Sequence, residues 1–412
     1  MTEAITDLQI TDGQWKEPYS AAMMRTLATP KLMLARGEGC RVWDVDGNEY
    51  LDFLAGIAVN ALGHAHPALV DAVSRQVATL AHVSNYFSTQ PQLELAERLR
   101  RISGAGDHGR ILFGNSGAEA NEAAFKLARL NKGNGRRKRV LALNNSFHGR
   151  TMGSLALTGK PPMRAAFEPL PGGVEHIDST IAALERAMDD HVAALFVEPI
   201  KGEAGVLELP QGFLRRAREL TEKHGALLII DEIQTGIGRT GRWFAYQHED
   251  IVPDAITVAK GIAGGVPIGA LVTFGRASEL YSQGQHGSTF GGNPLATAAG
   301  NAVLGEIERA DLLGNARRRG EELRAIIRSF DSPLIGEVRG LGLLIGIGLT
   351  DGEAHRLSDA ALANGLIINA PNESSIRLAP PLIVGDAELG EFRERFGRAL
   401  DALHHPSTER RS

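Results

Sequence analysis

The middle of this 412-residue chain repeats one pattern: a short run of apolar, β-favouring residues, a polar or glycine-rich turn, then a helical stretch. The runs are Arg139–Leu143, Ala193–Val197, Ala226–Ile230, Ala255–Ala259 and Ile268–Phe274. They are short and apolar without alternation, so both faces need burial, as in a parallel sheet covered by helices. Gly117–Leu130 and Gly212–His224 have the texture of the crossover helices. The pattern predicts an α/β domain across 65–305.

After Glu306 the texture changes to a charged helical stretch (RRRGEELRAIIRSF), then VRGLGLLIGIGL, then a second charged helix. A smaller α+β domain is expected over 306–412, with 1–64 contributing to it. Within that first segment GCRVWDVDGNEYLDF reads as a hairpin turning at or beside Asp46-Gly47. The tail after Leu403, HHPSTERRS, has nothing to pack and is expected to be disordered.

Composition removes several classes of function. Lys+Arg 44 against Asp+Glu 49 gives a net charge of −5, which offers no basic footprint for nucleic acid. The single cysteine, Cys40, rules out a disulfide scaffold, fits a reducing compartment and reads as a small buried hydrophobe. No apolar run approaches the roughly 18 residues of a spanning helix, and MTEAITDLQI lacks the marks of a signal peptide, so no membrane role and a cytoplasmic location are expected.

Several motifs fail on context. GIGRTG at 236–241 has the spacing of a dinucleotide fingerprint, which would make the chain an NAD(P)-dependent oxidoreductase. A polar DEIQT stretch separates it from the apolar run, however, and it leads into RWFAYQ rather than a helix. GSLALTGKP has Gly153 one residue too far from Gly159-Lys160 for a P-loop, and Pro161 replaces the magnesium-holding hydroxyl. Ser116 in GNSGA lacks the spacing of a nucleophile elbow. His64 and His66 have no companions at metal spacing, so no metal is expected.

The ends of the apolar runs are more informative, because ligands of open parallel sheets bind outside the carboxyl ends of the strands. ALLIID puts Asp231 at such an end, where a carboxylate is costly unless paired. AITVAK puts Lys260 at another, before GIAGG. A structural ion pair would explain these two alone. A third element, FGNSGAEANEAAFKLAR, adds a helix start at Ser116, Gly117 and Ala118, whose free amides suit a phosphate. A Schiff-base lysine, an acid for a pyridine nitrogen and a phosphate cup are together what pyridoxal 5′-phosphate needs.

From about Leu32 to Leu403 the sequence also resembles the class III aminotransferases of fold type I, in GIAVNALGHAHP, SFHGRT, VEPIKGEAGV, LIIDEIQTGIGRTGRW, HGSTFGGNPLA and IRLAPPL. The resemblance implies a large domain with a mainly parallel seven-stranded sheet beside a small α+β domain. It makes Lys260 the Schiff-base lysine and proton carrier, Asp231 the partner of the pyridine nitrogen, Phe147 the residue stacked on the ring and Gln234 a neighbour of its phenolic oxygen. Ser116, Gly117 and Ala118 form the cup, completed by Thr289 of the partner subunit, so a homodimer with shared sites follows. Arg150 is expected to bind the carboxylate distant from the reacting amine and Arg377 the α-carboxylate of glutamate and 2-oxoglutarate. Glu203 is expected to mask Arg377 while an ω-amino substrate is bound, and Ser288 to join the substrate site. Lys201 is the one competitor for the Schiff base and is read as peripheral.

The implied reaction moves the δ-amine of N2-acetyl-L-ornithine to 2-oxoglutarate, a step of arginine biosynthesis. Ornithine, succinylornithine, succinyl-diaminopimelate and 4-aminobutyrate are alternative donors. Where ornithine-specific relatives usually carry a tyrosine, near Gly56 or Ile57, this chain has none, which favours an acylated donor.

Overall fold

The computed structural model describes residues 13–404. Its centre is a seven-stranded sheet with the strand order Arg110–Gly114, Gly269–Thr273, Ala255–Val258, Leu227–Asp231, Val192–Val197, Arg139–Leu143, Val174–Ile177. All run parallel except Gly269–Thr273, which is antiparallel to both neighbours.

The absence of alternation in the apolar runs has a direct cause here. Every residue of Val192–Val197, Leu227–Asp231 and Ala255–Val258 is buried. Leu228 and Ile230 pack into one core with Phe213, Ala217 and Leu220 of the helix Phe213–His224. Leu227 and Ile229 face the other way, onto Ala123, Ala124 and Leu127 of the helix Gly117–Leu130. Each such aliphatic side chain contributes about 1.5–3 kcal/mol on burial. The alanines on the second helix let it lie close against the sheet.

Four of the five expected runs keep their place to within a residue at each end, as does the expected helix Gly212–His224; Arg139–Leu143 and Gly117–Leu130 keep both ends. Val174–Ile177 escaped the reading because it is a four-residue edge strand with a charged and a histidine position, too short and polar to stand out. The hairpin at the start is present as Arg41–Asp44 and Glu49–Asp52, and Gly47 in its turn takes φ 86. The two-residue strand Leu366–Ile367 pairs parallel with Glu49–Asp52, tying the early hairpin to the last part of the chain.

A second, antiparallel sheet has the order Ile335–Leu341, Leu344–Leu349, Ser375–Leu378, Asn369–Asn372, with the helices Leu312–Arg328 and Ala354–Ala363 packed on it and the helix Asp386–His404 packed on those two helices and on the strands Glu49–Asp52 and Leu366–Ile367. Most of the expected disordered tail, 405–412, lies outside the described residues, while His404 closes the last helix. Among the described residues no helix is long and apolar enough to cross a membrane.

Candidate active site

A cavity of about 380 Å³ lies at the carboxyl ends of the parallel strands. Five separate chain segments reach it because parallel strands all end on the same edge of the sheet. Asn115–Ala118 follow Arg110–Gly114, Phe147–Arg150 follow Arg139–Leu143, Glu198 follows Val192–Val197, Asp231 ends its own strand, and Lys260 comes two residues after Val258.

Asp231 is almost fully buried. Its Oδ2 accepts from His148 Nδ1 at 2.7 Å and Asn121 Nδ2 at 2.8 Å, and its Oδ1 from the amide of Ile233 at 3.0 Å. Asn121 is fixed in turn, donating also to the carbonyl of His148 and accepting from Thr257 Oγ1 at 2.9 Å. Burial opposes protonation of His148, but the hydrogen bond and charge of Asp231, with the charge of Glu198, hold its pKa above the ordinary value. The buried partner anticipated for Asp231 is therefore this histidine; Lys260 makes no ion pair with it.

Lys260 opens a short 3₁₀ turn with φ 46, a left-handed conformation that costs a residue with a β-carbon on the order of 1–2 kcal/mol. Burial lowers its pKa and Arg377 adds to that, against the pull of Glu203, Asp231 and Glu198. A larger share of the neutral amine suits a nucleophile. The chain then passes Gly265–Ile268, which line the cavity, and returns as the reversed strand. A β-carbon on Gly269, the first residue of that strand, would fall 2.2 Å from the carbonyl oxygen of Ser116.

Ser116 caps the helix Gly117–Leu130, its Oγ accepting from Glu119 N at 3.1 Å. The amides at this helix start have no intrahelical acceptor and carry the positive end of the helix dipole. Gly117 presses on Ile233, where a β-carbon would lie 2.8 Å from Cδ1. The cup and the floor of the cavity are thus in contact.

The remaining charges divide by location. Arg377 is fully buried on the strand Ser375–Leu378; its Nη1 meets Glu203 Oε1 at 2.5 Å and Gln234 Oε1 at 3.2 Å, and its Nη2 meets Asn369 Oδ1 at 2.7 Å. Burial opposes ionisation of Glu203, but Arg377 outweighs it and holds the carboxyl below its usual range. Arg150 stands exposed at the mouth, 5.7 Å from the centre of the Phe147 ring, with no carboxylate at ion-pair distance among the described residues. Glu198 is buried, accepts from the amide of Phe147 at 2.8 Å and is pushed up to about 7, chiefly by burial.

Ser288 and Thr289 do not line the cavity of their own chain. Ser288 Oγ accepts from Asn115 Nδ2 and from the amide of Gly291, both at 3.0 Å, while Thr289 is exposed. Lys201 is buried elsewhere, donating to Ser179 Oγ and the carbonyl of Asn144. GIGRTG opens no helix: its Arg239 is buried and donates to the carbonyls of Leu343 and Pro380, with its pKa pushed down to about 9 by burial. His64 donates to Asp52, His66 caps the helix Pro67–Thr79, and Cys40 sits in the core. No metal-binding cluster occurs among the described residues.

Asn121, His148, Glu198 and Asn369 were missed as site residues. Glu198 carried the signal that revealed Asp231, an acid straight after an apolar run, and His148 lies inside SFHGRT; Asn121 and Asn369 are set by packing and carry none.

The donor set suits one kind of guest. An anion cup at one end, a carboxylate with an uncommitted lone pair at the other and an amine of lowered pKa between them accommodate a phosphorylated pyridine carrying an aldehyde, and Gly117, which cannot carry a β-carbon, leaves the cup open. Fold and site together define a pyridoxal-phosphate-dependent transferase.

Comparisons narrow this class. The family model for class-III aminotransferases matches residues 23–400. An acetylornithine aminotransferase from Streptomyces coelicolor is 52% identical over 401 residues, covering 96% of this chain and 98% of the relative. The ornithine aminotransferase of Toxoplasma gondii superposes with a TM-score of 0.92 at 33% identity, covering 97% of both chains. The N-acetylornithine aminotransferase of Stenotrophomonas maltophilia gives 0.82 at 36% identity, covering 95% of this chain and all of that one. The chain belongs to the class-III aminotransferase family.

Proposed function

We propose that the protein transfers the δ-amino group of N2-acetyl-L-ornithine to 2-oxoglutarate, giving N-acetyl-L-glutamate 5-semialdehyde and L-glutamate. The observation that carries this reading is the unequal state of two guanidinium groups at one cavity. Arg150 is free at the mouth, while Arg377 is masked by Glu203. A donor with one carboxylate and a distant amine needs only the first; a 2-oxo dicarboxylate needs both. Bidentate recognition of a carboxylate is what arginine geometry provides. An acylated donor is favoured because no tyrosine lines the cavity to hold a free α-amino group. The likeness to relatives named acetylornithine aminotransferase supports the same choice.

Pyridoxal phosphate, when bound, supplies an aldehyde that condenses with amines and a ring that accepts the electron pair released at the amine-bearing carbon. Lys260 would anchor it and, once displaced by the substrate amine, carry the proton between the two carbons that exchange it. Asp231, locked by His148 and Asn121, would hold a proton on the ring nitrogen. Ser116, Gly117 and Ala118 would receive the phosphate, Phe147 would cover one ring face, and Gln234 would sit beside the phenolic oxygen. Ile233 and Val266 add apolar surface to the cavity wall.

The active unit in this reading is a homodimer in which Thr289, and Ser288 beside it, serve the other subunit's site. The exposure of Thr289 outside its own cavity supports this, as do the exposed side chains of Tyr86, Phe87 and Phe290. The division into 1–64, 65–305 and 306–412 is part of the same proposal, supported by the pairing of Leu366–Ile367 with the early hairpin.

The test is the absorbance of the purified protein with pyridoxal phosphate, before and after borohydride reduction, beside Lys260→Ala. A band that shifts with acetylornithine and is trapped covalently only in the wild type is the expected result. No band would remove the transaminase reading; a band answering only to ornithine or 4-aminobutyrate would change the donor.

A further inference from the structure

Lys160, the lysine of the failed P-loop match, touches the residue on which the two-substrate reading turns. Its Nζ donates to the main-chain carbonyl of Glu203 at 2.7 Å. The next two carbonyls are held as well: Ala204 O accepts from Asn372 Nδ2 at 3.0 Å, and Gly205 O from Arg339 Nη2 at 2.7 Å and Nε at 3.0 Å. Gly202 before them has no room for a β-carbon, which would lie 1.9 Å from Gln234 Oε1. With its backbone pinned from three sides, Glu203 has only its side chain left to move.

That movement is required when Arg377 takes up a substrate carboxylate. A largely buried carboxylate stripped of its partner is strongly unfavourable, so binding of the second substrate depends on where Glu203 goes. The other cations are committed. Lys260 belongs to the cofactor, Arg150 to the distal carboxylate, and Lys201 to Ser179 and Asn144. Lys160 is half-buried and makes no ion pair among the described residues. An ammonium has three donors, and one is used here. Because it already sits on the carbonyl of Glu203, rotation about the side-chain bonds of that residue brings the carboxylate to it. Burial depresses the ammonium, and the charge of Glu203 is the largest influence against that.

We infer that Lys160 receives the Glu203 carboxylate when Arg377 binds the α-carboxylate of the 2-oxo acid, which makes it a positioning residue for the second substrate. The inference rests on the aminotransferase reading above.

The experiment compares the holoenzyme with Lys160→Gln, which keeps a donor for the carbonyl but no charge, and with Lys160→Arg. Glutarate, which has two carboxylates and no reacting carbonyl, is titrated calorimetrically, and each half-reaction is followed separately by rapid mixing. Lys160→Gln should weaken glutarate and 2-oxoglutarate by about tenfold, as expected for a lost partly buried charge pair, and leave the acetylornithine half-reaction within about twofold. Lys160→Arg should restore binding. In a Glu203→Gln background the Lys160→Gln penalty should vanish, since no displaced charge remains. Equal losses in both half-reactions, or a penalty that persists with Glu203→Gln, would mean that Lys160 only braces the loop and would overturn the inference. Failure of the wild type to exchange amines with any donor would instead remove the aminotransferase reading.

Discussion

Asp231, buried, and Glu203, half-buried, are two carboxylates lining one cavity and held in opposite ways. Asp231 has three donors, all from segments attached to the seven-stranded sheet, and one of them, Asn121, is itself fixed by Thr257. Glu203 has one principal partner, Arg377, from the other sheet. A carboxylate held by several converging donors is rigid, whereas a single ion pair across two sheets can open if each charge has somewhere else to go. In the proposed function, the molecule thus separates a part that must not move from a part that must.

The comparison breaks first at Asp231. Asp231→Asn keeps the shape and removes the charge, so kcat should drop by about a thousandfold or more, while cofactor content is checked by absorbance. If kcat falls less than tenfold, Asp231 is not the rigid charge described. His148→Gln removes one support of that charge and should lower kcat by about 10- to 100-fold, the usual range for outer partners. Glu203→Gln acts on the movable half. It should lower KM for 2-oxoglutarate and raise that for acetylornithine, each by up to about tenfold, with kcat little changed. A matching loss of kcat would show that Glu203 is no gate.

The smallest effect concerns pH. Glu198, inside the cavity, and Glu232, outside it, are both raised from 4.5 to about 7, chiefly by burial. A carboxyl with a raised folded pKa binds its proton more tightly in the folded state, so its stabilising contribution is full below pH 4.5 and is lost as pH rises to about 7. Glu198→Gln and Glu232→Gln should each flatten the fall of Tm across that window. Only Glu198→Gln should also move the pH profile of activity; an identical response from Glu232→Gln would place the two residues in one site.

The rigid half was far more legible in the sequence than the movable one. Asp231 and Lys260 stand at the ends of apolar runs, where burial makes a charge conspicuous, and the cup has the composition of a helix start. His148 and Asn121 are chosen by contacts across 83 and 110 positions of chain; the first leaves only its place inside SFHGRT as a trace, and the second leaves none. Glu203 and Arg377, 174 positions apart, became a pair only through family resemblance, because no periodicity links a loop of one sheet to a strand of another. The edge strand Val174–Ile177 was lost for the opposite reason: half-exposed, it has no need of an apolar run.

The contact between Gly269 and Ser116 limits how such a site can diversify. The reversed strand enters the sheet against the carbonyl of Ser116, so the turn that carries Lys260 and the turn proposed to receive an anion share one wall. Any side chain at 269 displaces both. Lineages descending from this scaffold can alter the mouth and the gate by single substitutions, but the distance between amine and anion cup is inherited as one unit, and a ligand of another length would need a different backbone.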